Sequence, residues 1–479
     1  MLPARLSWST CLRRIPIQIS LATPEYRATR VGLLLRASPT YTAAAMFSCS
    51  AASSGHCAGS VGSTNKSRLK PLNFPTTGFQ EIDPSVKFEE EKLNYYHPAL
   101  FYPIHIGEVL NERYQVVSKF GYGSTSTIWL CKDLAEHRYV VLKVFIRQGR
   151  MESNRELECF RHFQKFVNHK ADHGGHERVR FPEEHFTIQS SDSSTHDVLV
   201  LRPLGLSVRA LQTYTPAGVF PELNAVLLTQ STVTALDYLR NVHSGNLHLT
   251  LTDENVLEQC EQDELVTPSP RKVAKEGVVI HATRHIINGE SPLVLCDLSS
   301  ARICPNHDLQ RGLPLMPEHY RPPEVILNMP WGYSVDMWCF GITIWRMLNN
   351  KGLFGHYVGT DLDEARHLSL MVGLLGPPPL EFLKRSEKSL KFWDESGSWR
   401  GPIALPPPTY TLEAICPKSL DGESKVLFLD FIRKILHWDP DERLCPATAW
   451  YHPWVHRIWS KDRLVPIEEW EKSQGAAAE

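Results

Sequence analysis

YQVVSKFGYGSTSTIWLCKDLAEHRYVVLKVFI, residues 114–146, decides the fold. Three runs within it, YQVVSKF, TIWLCKD and YVVLKVFI, alternate or stay apolar and are rich in β-branched and aromatic residues. Glycine or charged turns bound each run, so the stretch predicts three antiparallel strands. The first turn reads Gly121-Tyr122-Gly123-Ser124-Thr125-Ser126. Glycines there let the backbone approach phosphate groups closely, although a GxG between strands is on its own an ordinary hairpin signal. Lys143, in VVLKVF on the next strand but one, adds weight. An ammonium in an apolar strand is costly to bury without an anion, and phosphate oxygens and a helix carboxylate would both serve.

Working outward, SNRELECFRHFQKF follows with a serine cap and apolar residues at helical spacing. That helix offers Glu156 and Glu158, two apart and therefore on different faces, as partners for Lys143. HDVLVLRPLG reads as another strand, and PELNAVLLTQSTVTALDYLRNV as a long amphipathic helix. Residues 259–289 are polar and read as a loop or hairpin insertion. VDMWCFGITIWRML, LSLMVGLLG and VLFLDFIRKIL are helical in pattern, and no internal repeat is visible. The expected fold class is α+β, a small β-rich lobe followed by a large, mainly helical one.

Composition narrows the function classes. With 42% hydrophobic and 22% charged residues the chain has ample material for a core. A net charge of -2 argues against direct nucleic-acid binding. The 11 cysteines show no CxxC pair or zinc-type spacing, so they read as reduced, mostly buried thiols. No apolar run is long enough to span a membrane. The N-terminal part differs: from 1 to 80 the only acid is Glu25, against Arg5, Arg13, Arg14, Arg27, Arg30 and Arg36. Three readings stand for it: a mitochondrial transit peptide, a plain disordered tail, or sequence upstream of a start at Met46.

The chain also carries, in order, GYGSTS (121–126), VVLK (140–143), HLTLTDEN (248–255), DLS (297–299) and PPE (322–324). This series resembles the protein-kinase signatures: glycine-rich loop, VAIK, HRDLxxxN, DFG and APE. The resemblance implies a bilobal kinase fold that binds ATP and Mg2+. It implies Gly121, Gly123, Ser124, Lys143 and Leu204 at the nucleotide, and RELECF favours Glu156 over Glu158 as the partner of Lys143. Asn255 and Asp297 would hold the metal, and His248 would match the histidine of the catalytic loop. The catalytic aspartate would fall on Thr250, whose hydroxyl cannot act as a carboxylate base, and the nearby lysine on Thr252. Asp253 is a carboxylate that could compensate, or simply a solvated capping residue. In DLS, Leu298 and Ser299 replace the phenylalanine and glycine. Further on, Glu324 would pair with Arg443 in DPDERLCPATAWYHPWV, and Asp336 would bind backbone near the catalytic loop.

Residues 361–400, DLDEARHLSLMVGLLGPPPLEFLKRSEKSLKFWDESGSWR, and 102–130, YPIHIGEVLNERYQVVSKFGYGSTSTIWL, look like those of the SR-protein kinases and their fungal relatives. That resemblance implies transfer of the ATP γ-phosphate to serine or threonine of Arg/Ser-rich proteins, by a monomer in the cytoplasm or nucleus. Asp361, Asp363 and Glu364 match acidic residues that hold basic substrates; their plain reading is a helix N-terminus with favourable charge. With Thr250 in place of aspartate, the alternative is a pseudokinase, a nucleotide-binding or scaffolding module. The expected segments are 1–75 disordered or targeting, 76–103 an approach segment, 104–204 the N-lobe, 205–460 the C-lobe and 461–479 a tail.

Overall fold

The computed structural model describes residues 67–93, 96–147, 154–165, 175–239, 247–251, 253–274, 278–286, 293–299, 301, 309–310, 312, 316–349, 351–354, 361–460 and 463–475. The first lobe is a six-stranded antiparallel sheet, ordered β1-β2-β3-β4-β6-β5. Its strands are β1 (Val109–Leu110), β2 (Tyr114–Tyr122), β3 (Ser126–Asp133), β4 (Arg138–Phe145), β5 (Glu184–Gln189) and β6 (Thr195–Leu201). The β2–β3–β4 core matches the three strands expected from the sequence; β1 and β5 extend it at the two edges. Helix α1 (Arg155–Gln164) lies between β4 and β5 in the chain, and its first turn is capped by Asn154, whose side chain accepts from Leu157 N.

The second lobe is built on α2 (Glu222–Leu239), α4 (Ser334–Leu348), α5 (Asp361–Leu375) and α6 (Gly422–Ile435). Phe340, Ile344, Trp345, Phe428, Phe431 and Trp454 are essentially solvent-free in one continuous core. That much buried aromatic and aliphatic surface is what stabilises the lobe. Where the lobes meet, a three-stranded sheet runs β11-β8-β7, from β7 (Leu204–Ser207), β8 (Leu247–Thr250) and β11 (Leu293–Leu295).

Between β8 and β11 the chain departs from the expected polar loop. It forms α3 (Asn255–Val266) and then a hairpin of β9 (Arg271–Val273) and β10 (Val279–His281). Leu257 and Cys260 of α3 are buried with Phe74 and with Val117, Leu130 and Tyr139 of the sheet. The insertion thus packs against the first lobe. β2 has a free edge beyond its short pairing with β1, and Arg284 N covers part of it by donating to Lys119 O at 2.8 Å.

Residues 67–75, grouped by composition with the N-terminal segment, lie along the sheet instead. Leu69 N donates to Leu134 O at 2.8 Å, and the Gln115 amide brackets Leu72 with bonds of 2.9 and 2.7 Å. The readings made for residues 1–66 lie outside the described residues. At the other end, the expected tail forms part of a hairpin, β12 (Arg457–Ser460) with β13 (Arg463–Pro466), and then α7 (Ile467–Gly475). Among the described residues no helix is long and apolar enough to cross a membrane.

Candidate active site between the lobes

β4 runs with near-complete burial, and Lys143 sits in it opposite Ile128 of β3 and Leu199 of β6. Its Nζ lies 2.5 Å from Glu156 Oε2 on α1 and 2.9 Å from Asp297 Oδ1 beyond β11. Three elements from both lobes therefore converge on one ammonium. Glu158, the other candidate, is exposed on the same helix. Burial works against the charge of Lys143, but Glu156 and Asp297 outweigh it and hold the ammonium above the usual lysine range. Burial likewise works to raise Asp297, yet Lys143 and a hydrogen bond from Ser299 bring it down to about 2. Asp297 is thus a carboxylate at neutral pH.

The backbone of Asp297 is left-handed, at φ 64, a conformation few side chains accept and aspartate tolerates. Ser299 N closes the turn on Asp297 Oδ1 at 3.2 Å. Leu298 is buried in the main core, filling the place of the expected aromatic residue. Above this cluster, the turn after β2 exposes Ser124, and a Cβ added to Gly123 would meet nothing within 4 Å. The space over that turn is open to a ligand.

The other expected site residues fall differently. β8 pairs antiparallel with β11, Leu247 opposite Leu295 and Leu249 opposite Leu293. Asp297 follows Leu295, so it stands beyond the Leu247 end of β8. Thr250 leaves by the opposite end, roughly 10 Å along the strand at the usual rise per residue. Thr250 instead faces Leu204 across the β7–β8 pair, with Leu204 buried there. Asn255 is exposed at the first residue of α3, and no hydrogen bond among the described residues ties its carboxamide to Asp297. The expectation that Thr250 and Asn255 stand beside Asp297 therefore fails, because the strand that precedes them carries them away. Asp253 accepts from Asn255 N at 2.9 Å, forming the turn into α3. Thr252 lies outside the described residues.

His248 is not in a loop but in the middle of β8, with Nδ1 3.2 Å from Gly205 O. Burial lowers it to about 4, so the imidazole is neutral at pH 7 and donates through Nδ1. Residues 240–246, RNVHSGN, precede β8 in the sequence and lie outside the described residues. That stretch sets one asparagine directly before an alternating strand, NLHL, and a second five residues earlier.

Scaffold residues complete the lobe. Glu324 and Arg443 form a two-armed ion pair, 2.7 Å on each arm, with the guanidinium 4.9 Å from the Trp338 ring centre. Asp336 does not make the expected bond to backbone through Oδ1, which is buried without a partner; burial pushes its pKa well above the ordinary range. Asp361, Asp363 and Glu364 lie in the first turn of α5. Asp363 is buried and Glu364 is held by Lys388 at 2.8 Å, so neither stands ready for a basic ligand.

No group of three or more His, Cys, Asp and Glu residues that could hold a metal occurs among the described residues. Asp297, a single ionised oxygen ligand beside an open turn, suits a small hard cation shared with ligand phosphates, as Mg2+ commonly is.

A family model described as a protein kinase domain matches residues 114–455. A serine/threonine protein kinase of Aspergillus fumigatus is 36% identical over 386 residues, covering 79% of this chain and 94% of that protein. A serine/threonine-protein kinase of Arabidopsis thaliana is 25% identical over 364 residues, covering 74% and 84%. A serine/threonine-protein kinase SRPK of Physarum polycephalum is 24% identical over 404 residues, covering 77% and 91%.

Proposed function

Because the chain belongs to the protein kinase family, we propose that it binds ATP with Mg2+ between its lobes and transfers the γ-phosphate slowly to serine or threonine of proteins. The observation that carries this is the Lys143 ammonium, buried, gripped by Glu156 at 2.5 Å and reaching Asp297 at 2.9 Å. In phosphoryl transfer, positioning and charge stabilisation supply most of the catalysis, and these three groups are the ones that provide it. Lys143 orients phosphate oxygens beneath the glycine turn, Glu156 fixes the lysine, and Asp297 presents an ionised oxygen. Mg2+, when bound, neutralises charge on the phosphates.

Slow transfer follows from the residues entering β8. RNVHSGN reproduces the RDLxxxN spacing of the catalytic loop, with Asn246 at the metal-binding asparagine and Asn241 where the aspartate belongs. An amide can orient an incoming hydroxyl but cannot take its proton, and acid–base assistance is typically worth about 10²–10⁴ in rate. The same substitution supports a second reading, a nucleotide-binding interaction module without transfer. An Arg/Ser-rich substrate rests on the resemblance and on the Physarum relative. The acidic turn of α5 adds nothing to it, since Asp363 and Glu364 are engaged.

Thermal unfolding with and without Mg·ATP, followed by phosphate transfer to an Arg/Ser peptide and to a Ser peptide lacking arginine, tests the proposal. A thermal shift with slow transfer supports it. A shift with no transfer selects the interaction module, and no shift removes the nucleotide altogether.

A further inference from the structure

Behind the lobe junction lies a group of guanidiniums that the nucleotide site does not use. Residues 176–178 form a short turn, after which Val179 bridges Leu295 of β11 and Arg180 N donates to Leu295 O at 2.9 Å. The Arg180 guanidinium turns back onto the carbonyl of Arg202, at 2.5 and 3.1 Å. In return, the Arg202 guanidinium reaches the carbonyl of Glu177, at 3.4 Å. This crossed pair ties Arg180 to Arg202 and brings the Arg202 guanidinium to the peptide carbonyl directly before Arg178.

Arg178 is 7% exposed, and its Nε has no hydrogen-bond partner. Among the described residues, no carboxylate forms an ion pair with Arg178, Arg180 or Arg202; the side-chain bonds of the latter two go to backbone carbonyls. Glu177 is exposed, and its charge favours the charged form of Arg178. Burial lowers all three guanidiniums from the ordinary arginine value and outweighs the opposing pull of Glu177 on Arg178, of Glu156 and Asp297 on Arg180, and of Glu183 and Glu177 on Arg202. Proteins rarely keep a buried arginine unpaired, because an uncompensated charge in the interior is strongly unfavourable. A buried Arg178 with two further arginines bonded only to backbone carbonyls fits one class of ligand: an oxyanion with several strong acceptors, for which arginine forks are the usual receptor.

We infer that Arg178, Arg180 and Arg202 form a binding site for a phosphate group, distinct from the Lys143 site. The group is either free phosphate or the phosphorylated serine or threonine of a peptide; both present the same dianion. Arg202 is exposed and Arg180 half-buried, which leaves the site an open side, while Arg178 forms its buried base. Occupancy ties the β6–β7 connection to β11, and so braces the junction of the two lobes.

The test is thermal unfolding of the full chain in millimolar inorganic phosphate against sodium chloride at matched ionic strength. Parallel arms use a phosphoserine peptide and its unphosphorylated form. The same titrations are made on Lys143→Met, to silence the other phosphate-binding cation. Phosphate or the phosphopeptide should raise the melting temperature by about 2–4 °C beyond chloride, in the wild type and in Lys143→Met alike. Arg178→Gln with Arg202→Gln should abolish the rise; if that pair fails to fold, Arg202→Gln alone, at an exposed position, should still reduce it. A response to the phosphopeptide alone assigns the site to a modified chain. Equal effects of phosphate, phosphopeptide and chloride overturn the inference, as does a response lost in Lys143→Met or kept in the arginine variants.

Discussion

Leu247 and Leu295 face each other across the antiparallel β8–β11 pair. Asp297 therefore follows β11 beyond the Leu247 end of β8, not at the end where Thr250 leaves. On the proposed function, the RNVHSGN spacing puts the catalytic position at Asn241, five residues before Asn246 in the sequence. Asn241→Asp should raise phosphate transfer by about 10²–10⁴, the value of a positioned base. Thr250→Val should leave transfer unchanged. Initial rates on an Arg/Ser peptide decide it; an increase with Thr250→Asp and none with Asn241→Asp would reverse the assignment.

Glu156 is 2% exposed and its main task is to hold Lys143. Glu156→Gln keeps the shape but removes the charge, leaving the lysine with Asp297 alone. The thermal shift given by Mg·ATP should shrink by at least half, and transfer should fall at least about tenfold through loss of positioning. The chain should still fold, because Lys143 retains one carboxylate at 2.9 Å. An undiminished ATP shift in a folded Glu156→Gln protein would refute the role given to this pair.

Glu324→Ala removes both arms of the buried pair with Arg443 and leaves a guanidinium that is 0% exposed at its side chain. Breaking a buried pair from one side typically costs about 3–5 kcal/mol. Urea unfolding should show a loss of that order. Replacing both residues, with Glu324→Leu and Arg443→Met, should recover part of it.

What the sequence made legible was whatever is local. The β-branched run around Lys143, the glycine turn and the helix bearing Glu156 follow from spacing alone. Cooperation over distance was not legible. NVLEQCEQDELV looks polar in one dimension, and only the placement of Leu257 and Cys260 against Val117 and Leu130 makes it a packed helix. The separation of Asn255 from Asp297 has the same origin. Asn255 comes after β8, and the strand register, a property of pairing rather than of sequence, sets the exit of β8 at the end away from Asp297.

His281 gives the fold an acid-side weakness. It is 2% exposed, neither ring nitrogen has a partner, and it meets Trp129 edge-on at 5.6 Å. Burial, and then Arg271, Lys119 and His105, lower it to about 3. The folded value lies below the unfolded one, so its stability contribution is complete above about pH 6.5 and is lost as the pH falls towards 3. By pH 5 the loss is on the order of 2 kcal/mol. His281→Leu should flatten the pH dependence of stability across that interval, measured by urea midpoints from pH 7 to 5. A slope identical to that of the wild type would show that the imidazole is hydrated or paired.

Lys119 and Glu90 supply the last test, because they join the glycine-bearing strand to the segment that precedes the lobe. Lys119 is 0% exposed at its side chain, bonded to Glu90 and flanked by the rings of Tyr122, at 5.2 Å, and Trp129, at 6.0 Å. The same short turn sends Glu89 to Thr283 and Glu91 to Lys272, 2.7 and 2.6 Å away, so one acidic cluster fastens β2 to the insertion. Glu90→Gln leaves Lys119 buried without its counter-charge, and a cost of about 3–5 kcal/mol is expected. Glu91→Gln removes a partner of Lys272, which keeps a bond to Val86 O at 2.8 Å, and should cost less. Because Lys119 lies two residues before Gly121, loosening it frees the turn above Lys143, so Glu90→Gln should also weaken Mg·ATP binding several-fold in the fraction that remains folded. Urea midpoints and nucleotide titration separate the two effects. Equal destabilisation by the two variants would mean that the cluster acts only as a diffuse negative field. Unchanged nucleotide affinity in Glu90→Gln would mean that the clamp stops short of the turn.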